Sequence, residues 1–166
     1  EMEVLSETDP LTGVCNRRAF ATRFATLAKR WQRGKGALGV ALVDLDHFKS
    51  INDTYGHESG DRVLVAVAKA LDASFRKSDL IARMGGEEFC VVMADVDKPA
   101  LMSALERFNL ALSELEIPVA DSVIRVTASI GALLIDGDGT DLDSLVNQAD
   151  QAMYKAKTNG RNRVEF

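Results

Sequence analysis

The sequence predicts an α+β domain, with helices packed on a largely antiparallel sheet. Three observations carry that reading. Two β-rich runs, Leu80–Met84 and Glu87–Ala94, meet at Gly85-Gly86, and a two-glycine link marks a hairpin because the favoured tight turns need positive φ. Apolar ladders of helical period stand between the strand-like runs. The composition is 46% hydrophobic and 27% charged over 166 residues, enough for one core without disulfides or a structural metal. A hairpin set among alternating helices and strands implies antiparallel pairing.

The elements follow in order. Glu1–Glu7 reads as the end of an incoming helix or linker, and the domain itself as residues 8–166. Thr8-Asp9-Pro10-Leu11-Thr12-Gly13 is turn-rich. Asn16 caps a helix to about Trp31, with Phe20, Phe24, Leu27 and Trp31 on one face, and Gly34 and Gly36 break it. Ala37–Leu45 is short, apolar and partly β-branched, a buried strand. Asp46–Tyr55 is a short helical turn, and Asp61–Phe75 a helix with Val63, Val67, Leu71 and Phe75 as its ladder. After the hairpin comes a helix over Pro99–Glu114, with Leu101, Leu105, Phe108 and Leu112 inward. Val123–Leu134 alternates, Ile124, Val126, Ala128 and Ile130 against Arg125, Thr127 and Ser129, and is expected to be one half-buried strand. A helix over Leu142–Lys157 and a last strand over Arg163–Phe166 complete the chain.

Charge and cysteine usage exclude several classes. A net charge of −5 argues against a general nucleic-acid surface, which would be basic. Cys15 and Cys90 follow no metal spacing, and reduced thiols are expected in a domain this large. No apolar run reaches the ~20 residues of a membrane span, so no membrane contact is expected of this domain. The acidic start carries no signal-peptide pattern, and a cytoplasmic setting is expected. Opening on Glu rather than Met reads as the edge of a longer protein with an upstream sensory or receiver domain.

The chemistry concentrates at two places. Asp44-Leu45-Asp46-His47-Phe48-Lys49 ends the central strand, and its first and third residues share a face in an extended chain. A carboxylate closing an apolar strand is costly without a partner such as a metal. At the hairpin, Glu87 and Glu88 follow two glycines that let a ligand approach the backbone. If the hairpin flanks the Asp44 strand, three or four carboxylates converge, hard oxygen ligands suited to Mg²⁺ or Mn²⁺ on substrate phosphates. Each feature alone has a bland reading, since adjacent acids in a turn are usually solvated. His47 and His57 are too sparse for zinc. Asp136–Asp141 is like a calcium loop but lacks its sixth-position glycine and twelfth-position glutamate, so it reads as a solvated turn.

Gly85-Gly86-Glu87-Glu88-Phe89 resembles the signature of the GGDEF-domain family in its GGEEF form. Further landmarks stand in the family's order. Thr8–Arg18 resembles its opening motif, with Val14 and Cys15 as departures. Asp44–Asp53 with Tyr55-Gly56-His57 and Gly60-Asp61 resembles its metal- and base-binding segment, and Asp150–Lys157 with Gly160-Arg161-Asn162 its closing helix. The resemblance implies a five-stranded, palm-like sheet and a diguanylate cyclase, condensing two GTP into cyclic di-GMP across a two-fold dimer of domains. It implies two Mg²⁺ or Mn²⁺ ions per half-site, held by Asp44, the Leu45 carbonyl, Glu87 and Glu88. Glu87 is the implied general base. Lys49 offsets phosphate charge. Asn52 and Asp61 read guanine near His57 and Phe48, with Gly85 and Gly86 beside the substrate, and Lys157 and Arg161 hold the terminal phosphates.

Arg76-Lys77-Ser78-Asp79, five residues before Gly85, has the form RxxD and resembles the family's product-inhibition site. Alone it is a weak pattern, commonly a solvated i, i+3 pair. Arg107 is expected to add a contact from the partner domain. The competing readings are an inactive module that senses GTP or cyclic di-GMP, a cyclase making a mixed guanine–adenine dinucleotide, and a structural interaction domain. Intact Asp44, Glu87, Glu88, Lys49 and Asn52 weigh against the first, Asp61 against the second, and the acidic constellation against the third.

Overall fold

The computed structural model describes residues 6–33, 37–135 and 141–166, without the side chains of 31–33. Residues 1–5 of the expected incoming segment, Gly34 and Gly36, the Trp31 side chain and nearly all of the Asp136–Asp141 turn lie outside the described residues. The elements run α1 (Arg17–Arg33), β1 (Leu38–Leu45), α2 (Phe48–Tyr55), α3 (His57–Ser74), β2 (Leu80–Gly85), β3 (Glu88–Ala94), α4 (Lys98–Glu114), β4 (Ile117–Val119), β5 (Ser122–Ile124), β6 (Ala128–Ile135), α5 (Leu142–Thr158) and β7 (Arg163–Glu165). Five strands form one sheet in the order β2-β3-β1-β6-β7, antiparallel except for the β6–β7 pair. The α+β class and the mostly antiparallel five-stranded sheet are as the sequence led us to expect.

Every residue of β1 is buried because the strand is central and both faces are covered. On one face Ala41, Val43, Leu45, Phe89, Val91 and Ile130 pack under α2, α3 and α4. On the other, Leu38, Val40, Leu42, Cys90 and Val92 pack under α1 and α5. Local chemistry sets the helix starts. Asn16 Oδ1 accepts from the Ala19 amide at 2.8 Å, Asp97 from Ala100 at 2.8 Å, and Asp141 from Ser144 at 2.8 Å. Cys15 and Cys90 are free and buried, and burial, then the Glu88 charge, pushes the Cys90 thiol up.

Four expectations need correction. Val123–Leu134 is not one strand. Ser122–Ile124 pairs with Ile117–Val119 in a separate two-stranded ribbon, and the main-sheet strand begins at Ala128. Ser129, expected on a polar face, is fully buried beneath a second helical layer. Helix α3 starts at His57 rather than Asp61, because Gly56 (φ 90°) lets the chain turn from α2 directly into it. The hairpin turn is Gly86-Glu87, with Gly85 paired to Glu88 in the ladder, so only Gly86 takes positive φ, at 37°.

Candidate active site

The site lies where β1 ends. Asp44 sits opposite Glu88 of β3 and Ser129 of β6, and the Leu45 amide donates to the Glu87 carbonyl at 3.3 Å, which docks the hairpin tip against the strand end. Beyond Leu45 the chain turns sharply through His47, a non-glycine residue in the left-handed region at φ 56°. That turn swings α2 back, so Phe48, Lys49 and Asn52 line a cavity of about 370 Å³ together with His57, Asp61, Leu64, Arg83, Gly86 and Glu87. Seven residues singled out from sequence thus share one hollow. A Cβ built on Gly85 or Gly86 would meet no protein atom within 4 Å, so a ligand has room at the hairpin backbone.

The carboxylates straddle the sheet edge. Glu87, in the turn, lines the α2–α3 cavity, while Glu88, the first residue of β3, lines a separate cavity of about 350 Å³ with Arg17, Asp143, Asn147 and Asp150 beside α1 and α5. Asp44 takes the ammonium of Lys157, on the last turn of α5, as an ion-pair partner. Burial pushes the Asp44 carboxyl above its ordinary range, against the pull of Lys157 and with help from the Glu87 and Asp46 charges. Burial alone would lower the Lys157 ammonium, but the Asp44 hydrogen bond and the Asp44, Glu88 and Asp150 charges raise it. Glu88 is raised by burial, then by Asp44 and Asp150.

The expected convergence of three or four carboxylates is therefore incomplete. Among the described residues no group of three or more His, Cys, Asp and Glu side chains forms a ready metal cage. Lys157, expected at the phosphates, is paired with Asp44 here. The donor set still fits Mg²⁺ or Mn²⁺, hard cations that take one or two carboxylates and complete their shell with substrate phosphates and water.

Other residues find different partners. Lys49 is exposed and makes no ion pair among the described residues, and the Arg161 guanidinium is likewise exposed and unbonded there. Asp79 is buried and closed onto Arg76, accepting from its amide at 2.7 Å and from its guanidinium at 3.0 and 3.2 Å, while Arg76 also reaches the Ala94 carbonyl at 2.9 Å. Arg107, expected from a partner domain, lines the same cavity of about 330 Å³ as Arg76 and Asp79 of its own chain, and donates to the Ser74 carbonyl at 3.1 Å.

Sequence reasoning missed Arg83 and Asp9. Arg83 Nε donates to the Gly86 carbonyl at 2.9 Å, and its Nη1 meets the Asp9 carboxylate at 3.2 and 3.3 Å. Burial would raise Asp9, but hydrogen bonds from Thr12 and the Arg83 charge hold it below its ordinary value. The pair ties the opening turn to the hairpin. The available signal was a lone arginine in an otherwise apolar strand, two residues before the glycines.

The family profile described as "Diguanylate cyclase, GGDEF domain" matches residues 6–163. Diguanylate cyclase DgcP of Pseudomonas aeruginosa is 39% identical over 158 residues, 95% of this chain and 23% of that protein. Diguanylate cyclase SiaD of Pseudomonas aeruginosa, solved with its activator SiaC, superposes with a TM-score of 0.92 at 38% identity, over 97% of this chain and 62% of that one. The GGDEF domain of DgcB from Caulobacter crescentus, solved with c-di-GMP, superposes with a TM-score of 0.91 at 30% identity, over 99% of this chain and 95% of that one. The chain spans less than half the length of the curated relatives it matches. Among the described residues no helix is long and apolar enough to cross a membrane.

Proposed function

The chain belongs to the GGDEF family of diguanylate cyclase domains, and on that premise we propose that it condenses two GTP into cyclic di-GMP and two pyrophosphates. The observation that carries the proposal is the cavity uniting Phe48, Lys49, Asn52, His57 and Asp61 with Gly86 and Glu87 at the end of the Asp44 strand. Asn52 and Asp61 supply an amide and a carboxylate for the guanine edge; a carboxylate accepts from both N1 and N2 of guanine, whereas adenine offers neither donor. Lys49 and Arg161 bring positive charge to the phosphates, and Lys157 joins them once Asp44 has another cation.

Asp44, the Leu45 carbonyl and Glu87, with Glu88 assisting, would hold Mg²⁺ or Mn²⁺, which supplies charge neutralisation and makes the 3′-hydroxyl more acidic. Glu87 takes the 3′-hydroxyl proton. The freed oxygen attacks the α-phosphorus of the other GTP, an O3′–P bond forms, and the bond to pyrophosphate breaks. Positioning and electrostatics supply most of the rate in such chemistry. Ring closure needs the attack twice, so two domains face each other, each with one GTP.

That requirement sets the test. With GTP and Mg²⁺, specific activity is expected to rise steeply with protein concentration, and chromatography is expected to show cyclic di-GMP. A specific activity independent of concentration in a monomer, or no product at any concentration, overturns the proposal.

Product inhibition, in the same proposal, falls at the cavity of Arg76, Asp79 and Arg107, and the DgcB domain solved with c-di-GMP supports a dinucleotide ligand. Asp79 is already satisfied by Arg76, so a guanine bound there shares or displaces that arginine.

A glycine gives a second test. A Cβ on Gly60 would stand 1.8 Å from Asn52 Oδ1, 3.0 Å from Asn52 Cγ and 3.3 Å from Phe48 Cζ, and the closest of these tips a side chain that can swing away. Gly60→Ala is therefore expected to leave stability within about 1 kcal/mol, since alanine gains helix propensity. GTP binding, measured by calorimetry, is expected to weaken roughly tenfold through the displaced Asn52. Unchanged affinity would remove Asn52 from base reading.

A further inference from the structure

Asp46 is a buried carboxylate that the proposed reaction leaves unused. It is 6% exposed and stands one residue past β1. Its Oδ1 accepts from Ser129 Oγ at 2.6 Å, and its Oδ2 from Thr127 Oγ1 at 2.6 Å and from the Asn162 amide at 3.0 Å. Its own amide donates to the Thr127 carbonyl at 2.8 Å. A carboxylate this deep needs its lone pairs met. Two donors come from β6 and the residue before it, and they would suffice to place the side chain. The third comes from the turn behind α5, 116 residues along the chain.

That turn is unusual. Arg161 (φ 62°) and Asn162 (φ 45°) are consecutive non-glycine residues in the left-handed region. Such backbone persists only where its surroundings over-determine it. Here Asp46 holds the Asn162 amide from one side. From the other, Asn109 Nδ2 of α4 donates to Asn162 Oδ1 at 3.2 Å. The pinned residue is Asn162, and the exposed guanidinium next to it is that of Arg161.

We propose that Asp46 is a positioning residue: it latches the Arg161–Asn162 turn to the end of the strand bearing Asp44, and so sets the place of Arg161 for the substrate's phosphates. The inference rests on the cyclase reading, because that reading gives Arg161 its ligand. It assigns the second acid of Asp44-Leu45-Asp46 a role apart from metal binding, since the Asp46 oxygens are already taken by three donors.

A double-mutant cycle tests it. GTP and GMP binding are measured by calorimetry with Mg²⁺ on the wild type, Asp46→Asn, Arg161→Ala and the double variant. Asp46→Asn is expected to weaken GTP binding roughly tenfold, the scale of a lost charge-assisted hydrogen bond. GMP, which lacks the terminal phosphates, is expected to bind the wild type and Asp46→Asn alike. In the Arg161→Ala background, Asp46→Asn is expected to add no more than about twofold, because residues acting through one another are not additive. Full additivity, or an equal loss for GMP, overturns the latch and leaves the cyclase reading standing. A wild type that binds no GTP overturns that reading and the latch with it. Should Asp46→Asn fail to fold, Thr127→Val, which removes one hydroxyl donor, runs the same cycle with the same pattern and a smaller loss expected.

Discussion

Glu87→Gln is expected to abolish cyclisation and leave the fold in place. Glu87 is half-buried at the hairpin turn, and its side chain makes no hydrogen bond or ion pair among the described residues. The change is nearly isosteric, so stability should move by no more than about 0.5 kcal/mol. Activity is a different matter. An amide cannot take the 3′-hydroxyl proton, and losing a general base alone costs roughly 10²–10⁴-fold. The same carboxylate is a proposed metal ligand, so the observed loss should lie at or beyond the upper end of that range. Removing the Glu87 charge also relieves one of the influences that raise Asp44, so the variant is not expected to lose the Asp44–Lys157 pair. Product formation and a thermal melt, measured on the same preparation, separate the two effects. Full activity would take Glu87 out of the mechanism, and a collapsed melt would mean that its role is structural.

The fold was legible where local chemistry decides it. Asn16 announces α1 because its side chain caps the helix, and the structure contains that hydrogen bond. The glycine pair announces the hairpin, although the turn sits one residue later than its position suggested. Legibility failed at Val123–Leu134 for a specific reason. Alternation marks Ile124, Val126, Ala128 and Ile130 as inward, and all four are buried. It does not report which sheet buries them, and the chain leaves the small ribbon for the main sheet between Ile124 and Ala128 without breaking the alternation. The start of α3 was missed because Gly56 reads as a stop, when here it joins two helices at an angle.

The site divided along the same line. Residues close in sequence, Phe48, Lys49, Asn52, His57 and Asp61, were expected together and share a cavity. Partnerships between distant residues were hidden. Nothing in Asp44 or Lys157 alone says that they pair across 113 positions, nor that Asp46 meets Thr127, Ser129 and Asn162 from beyond the strand. The separation of Glu87 from Glu88 was hidden, because the turn was expected at Gly85-Gly86 and falls one residue later, which leaves Glu87 in the turn and Glu88 as the first residue of β3.

Gly131→Ala is expected to be the most destabilising of the substitutions considered, and to reach the site from a distance. Gly131 lies mid-strand in β6, where a glycine has no conformational reason to be. Its reason is α5. A Cβ there would stand 2.1 Å from the Ala149 carbonyl oxygen, 2.1 Å from the Met153 amide nitrogen and 2.7 Å from the Met153 Cα. All three are helix backbone atoms, so no rotamer change relieves the clash and α5 must move as a body. Gly39 is the control on β1. Its Cβ would meet Leu101 Cδ1 at 2.9 Å, Leu101 Cδ2 at 3.0 Å and Val96 Cγ1 at 3.1 Å, side-chain ends that shift more readily than helix backbone. Overpacking of a core costs about 1–3 kcal/mol, and Gly131→Ala should lie at the top of that range or above it while Gly39→Ala lies at the bottom. Urea midpoints read the difference, provided that the slope is unchanged. The displacement has a chemical consequence as well. Helix α5 brings Lys157 to Asp44 and leads into the Arg161 turn, so shifting it withdraws both cations from the strand end. GTP turnover should fall further for Gly131→Ala than for Gly39→Ala even at temperatures where both variants are fully folded. Equal midpoints for the two variants would mean that α5 yields easily, and that its seat on β6 does not set the position of Lys157.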